Sequence, residues 1–174
     1  MKSAQGENSH ADGTVAAVIR AAQPLDTPII LEFIRELADY ERLLPEVEAT
    51  EDALRQALFG PAPSVFCDIA QWREAPVGFA LWFKNFSTFG GRHGIYLEDL
   101  FVREPYRGRG IGKALLANLA RRCVANGWSR LQWSVLDWNA PSIAFYKRQG
   151  AVLMEDWKTC RVSGAALAKL AGGA

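Results

Sequence analysis

The chain has 174 residues, a length that suits one compact domain rather than two. Lys plus Arg total 20 and Asp plus Glu 19, a formal charge of +1, so no basic excess is available to meet the phosphates of a nucleic acid. With 49% hydrophobic and 22% charged residues the composition is globular, which excludes disordered and collagen-like classes. The strongest apolar run, Val77 to Phe83, is far short of the roughly 20 residues that span a bilayer. Residues 1–14 lack the apolar segment of a secretory signal and read as a disordered leader. The expectation is a soluble, cytoplasmic protein with one domain over residues 15–174. Cys67, Cys123 and Cys160 are widely spaced with no Cys-x-x-Cys pair, so neither a disulfide framework nor a metal site is expected. No local feature suggests the lowered thiol pKa that a Cys–His nucleophilic pair requires.

In chain order, Val15 to Ala22 reads as a first strand. Thr27 and Pro28 then supply a cap and a first-turn proline, and Ile30, Phe33, Ile34, Leu37 and Ala38 recur at helical spacing to about Glu41. Thr50 with Glu51 and Asp52 opens a second helix that stops at Gly60. Val65 to Trp72 and Val77 to Phe86 are β-rich runs joined by a hairpin at 73–76. A glycine-rich loop, 89–94, leads into a strand from Ile95 to Val102. The long helix that follows carries Leu115, Leu116, Leu119, Ala120 and Val124 on one stripe and is closed by Asn126-Gly127. Leu131 to Leu136 is the next strand. Asn139 caps a helix with Pro141 in its first turn, ending at Gly150, and Val152 to Met154 and Trp157 to Val162 read as two terminal strands. A short helix from Ser163 to Leu170 ends the pattern, which is α/β or α+β with one mixed sheet.

The most specific motif is Arg107-Gly108-Arg109-Gly110-Ile111-Gly112-Lys113, between a strand and the long helix. Glycines at alternate positions let backbone N–H groups approach a ligand closely, and the helix N-terminus adds partial positive charge. That chemistry suits an anion such as phosphate, with Arg103, Arg107, Arg109 and Lys113 strengthening the attraction. A Walker loop would need glycine at Arg107 and Ser or Thr at Ala114. A dinucleotide fingerprint would need its third glycine at Lys113 or Leu115. Both are disfavoured. The bland alternative, less favoured for this motif, is a turn that serves only backbone geometry with solvated arginines.

The strand Tyr96-Leu-Glu-Asp-Leu-Phe-Val102 followed by Arg-x-x-Gly-x-Gly at 107–112 resembles the acetyl-CoA pyrophosphate motif of the GNAT acetyltransferase superfamily. The segment Asn139-Ala-Pro-Ser-Ile-Ala-Phe-Tyr-Lys-Arg-Gln-Gly150 is similar to that superfamily's next motif. With Glu36-Leu-Ala-Asp-Tyr-Glu41, these resemble the diamine (spermidine/spermine) acetyltransferase family over about residues 18–170. The resemblance implies a GNAT fold: a strongly twisted mixed sheet of about six or seven strands flanked by helices, splayed between the strands at 95–102 and 131–136 to admit acetyl-CoA. It implies that backbone groups of Leu100, Phe101 and Val102 hold the acetyl and pantetheine portion, and that residues 107–113 hold the diphosphate. Asn139, Ser142 and Tyr146 would line the cofactor side. A homodimer is also implied, with a small amine as partner, acetyl-CoA as cosubstrate, and no metal.

The chemistry needs an uncharged amine, whereas an alkylamine of pKa near 10.4 is almost wholly ammonium at neutral pH. By matching position Glu98 would accept the amine proton through water, and Tyr146 would be the donor to the leaving thiolate. The oxyanion would face a backbone N–H near Leu100. Asn139, Ser142 and Tyr146 share one helix face by their spacing. An isolated tyrosine there would more often be a packing residue, but this one lies within the matched motif. Glu98 and Asp99 should point to opposite sheet faces unless a bulge intervenes, and Asp99 is as well suited to a structural role as to a functional one. By resemblance Tyr40 and Glu41 contact the acceptor, with Trp133, Glu155, Asp156 and Trp157 as further candidates. The acceptor is a polyamine or diamine on this reading. A lysine-like amino acid such as thialysine is the alternative, and a non-catalytic acyl-CoA-binding module is the rival of another class.

Overall fold

The computed structural model describes residues 17–172. The expected leader and the first two residues of the expected opening strand lie outside the described residues. The chain divides into two compact units, one up to Ser134 and one from Val135.

The first unit is built on a sheet of five strands in the order β1-β2-β3-β4-β5. These are β1 (Val18–Ala21), β2 (Phe66–Trp72), β3 (Ala75–Ser87), β4 (Arg92–Val102) and β5 (Leu131–Gln132). The first four pair antiparallel, whereas β5 pairs parallel to β4. Between β1 and β2 run α1 (Thr27–Tyr40) and α2 (Glu51–Phe59), and between β4 and β5 runs α3 (Ile111–Ala125). Two helix signals act as expected: the Thr50 hydroxyl accepts from the Ala53 N–H at 3.2 Å, and Gly127, at φ 65°, closes α3 while Trp128 N–H reaches the Cys123 carbonyl. Thr27, expected as the cap of α1, is instead its first residue, with its buried hydroxyl donating to the Pro24 carbonyl at 2.8 Å.

Strand alternation sorts the core. On the α1 side Ile30 and Phe33 pack with Cys67, Ile69, Phe79, Leu81 and Phe101, and the Phe33 and Phe79 rings stack at 5.6 Å. On the other side α3 packs against β3 and β4 and buries Ile111, Leu115 and Leu119. Asp68, only 1% exposed, accepts from Trp82 Nε1 at 2.9 Å and from Arg122 at 2.6 Å. The Arg122 guanidinium lies 5.5 Å from the Trp82 ring centroid.

Two further local expectations in this unit are corrected. The glycine-rich loop is shorter than 89–94, because β4 begins at Arg92 and pairs with Ser87. The strand expected over Leu131 to Leu136 is only Leu131–Gln132, paired with Ile95 and Tyr96. Leu131, Trp133 and Val135 alternate as a strand would, but propensity alone supplies no ladder partner.

The second unit carries α4 (Ala140–Arg148) and α5 (Gly164–Leu170). Gly150, at φ 88°, stops α4: its N–H bonds the Lys147 carbonyl while that of Ala151 bonds Tyr146, a Schellman arrangement. The strands expected at Val152 to Met154 and Trp157 to Val162 are not formed. Val152, Met154, Trp157 and Val162 are instead exposed apolar side chains without a strand partner among the described residues. The sheet therefore has five described strands rather than about six or seven.

Candidate active site

After β4 the chain makes a 3-10 turn, Glu104–Tyr106, and then the glycine turn. Gly108 and Gly110 have φ of 74° and 79°, a left-handed region that costs an L side chain strain. A Cβ built at either would meet nothing within 4 Å, so backbone geometry demands the glycines while the space beside them stays open. Gly110 is the N-cap of α3, and the first helical bond runs from Ala114 N–H to the Gly110 carbonyl. The N–H groups of Ile111, Gly112 and Lys113 precede that bond, at the positive end of a 15-residue helix. This cradle fits a diphosphate such as that of acetyl-CoA.

The arginines around it are not equivalent. Arg103 does not serve the turn: it bonds Glu36 through Nε at 3.0 Å, pairs with Glu32, and lies over the Phe33 ring. Arg107 donates from Nε to the Val102 carbonyl at 2.8 Å, with its guanidinium 5.0 Å from the Tyr40 ring centroid. Arg109 lies 5.4 Å from the Trp72 ring centroid. Lys113 is exposed in the first turn of α3.

Next to this turn β4 offers a free edge. Leu100, Phe101 and Val102 pair with Ala80, Phe79 and Gly78 of β3, whereas β5 reaches only Ile95 and Tyr96. From Leu97 to Val102 the opposite edge has no strand partner among the described residues. The divergence is braced by the Tyr96 hydroxyl, 2.8 Å from Ser134 Oγ. Trp133 lies between β5 and that serine.

The ladder also settles the two acids. Leu81 pairs with Asp99 but Trp82 pairs with Leu97, so Glu98 is the extra residue of a bulge. Strict alternation is broken, and the two side chains are not separated by the sheet. Glu98 is exposed, whereas Asp99 is half-buried. Burial first, then the negative charges of Glu98 and Glu41, push the Asp99 carboxyl up from 3.8 to about 7. Burial likewise pushes up the carboxyl of Glu41, which follows Tyr40 at the C-terminus of α1. Tyr40, Glu41, Glu98 and Asp99 thus belong to one region of the first unit. Sequence alone leaves Asp99 undecided, because a bulge has no reliable local signature.

In the second unit Asn139, 6% exposed, caps α4 by accepting from the Ser142 N–H at 3.2 Å. Tyr146 is buried on the same helix, with its ring 5.3 Å from that of Phe145. Glu155, Asp156 and Trp157 are exposed in the irregular segment after it. Among the described residues no group of three His, Cys, Asp or Glu could hold a metal ion, and no helix is long and apolar enough to cross a membrane.

Residues 30–151 match the family described as Acetyltransferase (GNAT) family, so the match extends across both units. The bovine (Bos taurus) thialysine N-epsilon-acetyltransferase is 40% identical over 166 residues, 89% of this chain and 97% of that protein. An L-ornithine N5-acetyltransferase of Arabidopsis thaliana is 34% identical, covering 86% of this chain and 85% of its own. Among solved structures, an integron cassette protein from the mobile metagenome of V. cholerae has a TM-score of 0.75 at 28% identity, over 89% of this chain and 97% of that one. The glycine turn, the half-opened sheet and these likenesses agree, and the chain belongs to the GNAT family of acetyltransferases.

Proposed function

We propose that the protein transfers the acetyl group of acetyl-CoA directly to the terminal amine of a small amino acid of the thialysine or ornithine kind. The observation that carries this reading is the half-buried Asp99 beside Glu98 and Glu41, with its carboxyl raised to about 7. Carboxylates crowded in this way attract an ammonium, and a group that titrates near working pH can accept its proton. The acceptor role expected for Glu98 passes to Asp99, leaving exposed Glu98 to draw in the cation. The names of the relatives at 40% and 34% identity support the amino-acid acceptor. Bound acetyl-CoA would supply an activated thioester carbonyl. On this reading residues 108–113 and the edge of Leu100, Phe101 and Val102 hold the cofactor, with Asn139 and Ser142 assisting, and Tyr146 donates a proton to the departing thiolate. Tyr40, Trp133 and Glu155 serve the acceptor.

A diamine or polyamine acceptor is the second reading, favoured by three carboxylates where a single ammonium needs fewer. Free-thiol release with acetyl-CoA and thialysine, ornithine, lysine, putrescine, spermidine and spermine separates the two. Efficient turnover of the amino acids supports the proposal, preference for the polyamines supports the second reading, and release on none would leave an acyl-CoA-binding module. Tyr146→Phe should lower kcat by roughly 10² to 10⁴, and unchanged turnover would remove its role. A homodimer is proposed as well, supported by exposed Val152, Met154, Trp157 and Val162. Light scattering on the pure protein tests it, and a monomer mass would reject it. A cytoplasmic location is supported by the free state of Cys67, Cys123 and Cys160.

A further inference from the structure

Arg107 opens the glycine motif, where a cation would ordinarily be assigned to the diphosphate, yet its contacts run the other way. Its Nε is spent on the Val102 carbonyl at the end of β4. Its guanidinium lies 5.0 Å from the ring centroid of Tyr40, the last residue of α1, and 5.7 Å from that of Phe101 in β4. A cation against the C-terminus of a helix also complements the helix dipole. Four residues earlier Arg103 ties the middle of α1, through Glu36 and Glu32, to the same exit from β4. The two arginines clamp α1 in register with the strand that carries Asp99. At its far end α1 terminates abruptly, with Arg42 in the left-handed region at φ 63°.

We infer that Arg107 is a positioning residue for the amine half of the reaction, holding Tyr40 and Glu41 against β4, rather than a ligand of the diphosphate. The inference rests on the reading that Tyr40, Glu41 and Asp99 receive the amine. The backbone of Gly108 to Lys113 is then left as the principal anion cradle, and Arg107 couples the cofactor turn to the acceptor wall.

The test uses the full chain with Arg107→Met, which keeps a flexible apolar stem, and Arg107→Lys, which keeps the charge. Calorimetry with CoA gives the cofactor Kd and also shows that each variant is folded. Steady-state kinetics at saturating acetyl-CoA give the amine KM. Expected for Arg107→Met are a CoA Kd within about twofold of wild type and an amine KM raised about five- to tenfold, with partial rescue by Arg107→Lys. A CoA Kd raised tenfold or more, or an unchanged amine KM, would overturn the inference. If the wild-type protein released thiol on no amine, the functional reading would fail by itself. The CoA calorimetry would then still decide whether Arg107 is a diphosphate ligand.

Discussion

Asp68 and Asp99 are carboxylates on opposite faces of the same sheet, and their neighbours give them opposite roles. Asp68 meets an Arg122 guanidinium and the Trp82 indole N–H, so its charge is compensated on the spot. Asp99 meets two further acids and burial. A carboxylate with donors around it is a structural tie. One among like charges holds a proton near neutrality, as the proposed acceptor of an amine proton would. Burial by itself does not distinguish the two; the partners do.

The contrast breaks most visibly if the Asp68 tie is cut. Arg122→Leu leaves a buried carboxylate with only the indole donor and should cost about 3 kcal/mol in urea unfolding. The folded fraction should keep a near-normal amine KM; a large kinetic defect in folded protein would mean that the tie belongs to the site. Asp99→Asn should do the converse, lowering kcat/KM at pH 7 by about 10²-fold. It should also stabilise the protein. Because the pKa of Asp99 is raised on folding, the folded state binds the extra proton. The contribution of Asp99 to stability is therefore greatest below about pH 4 and declines as pH rises towards 7. The asparagine variant should be clearly more stable than wild type at pH 8, where the Asp99 carboxylate is charged, and no more stable at pH 4. Equal effects at both pH values would show that the carboxyl does not titrate there.

Smaller effects sharpen the same picture. Glu98→Gln should change kcat/KM only about threefold, as suits an exposed charge that steers rather than transfers. In the β2–β3 hairpin, remote from both acids, Arg73 and Glu74 have φ of 48° and 69°, which a type I′ turn requires and side chains resist. Replacing them with Asn and Gly should raise stability by about 1 kcal/mol without touching kinetics.

What the sequence disclosed follows from how local each signal is. Thr50, Gly127 and Gly150 act through hydrogen bonds within a few residues, so the helix ends were legible. The glycine turn was legible for the same reason: the φ values at Gly108 and Gly110 are a property of that segment alone. The bulge at Glu98 depends on the register between β3 and β4, which no short window encodes, and with it went the relation of Glu98 to Asp99. Trp157 and Val162 read as strand residues because propensity records fitness for a ladder, not the presence of a partner. Proximity in sequence points Arg103 and Arg107 at the anion, whereas their partners Glu36 and Tyr40 lie more than 60 residues away along the chain.

The most direct measurement is the pH dependence of kcat/KM for thialysine in wild-type, Glu98→Gln and Asp99→Asn proteins. The acid-side inflection near pH 7 should be present in wild type, survive in Glu98→Gln and vanish in Asp99→Asn, whose rate then follows only the ionisation of the amine. An inflection that persists in Asp99→Asn would contradict the assignment of Asp99 as proton acceptor.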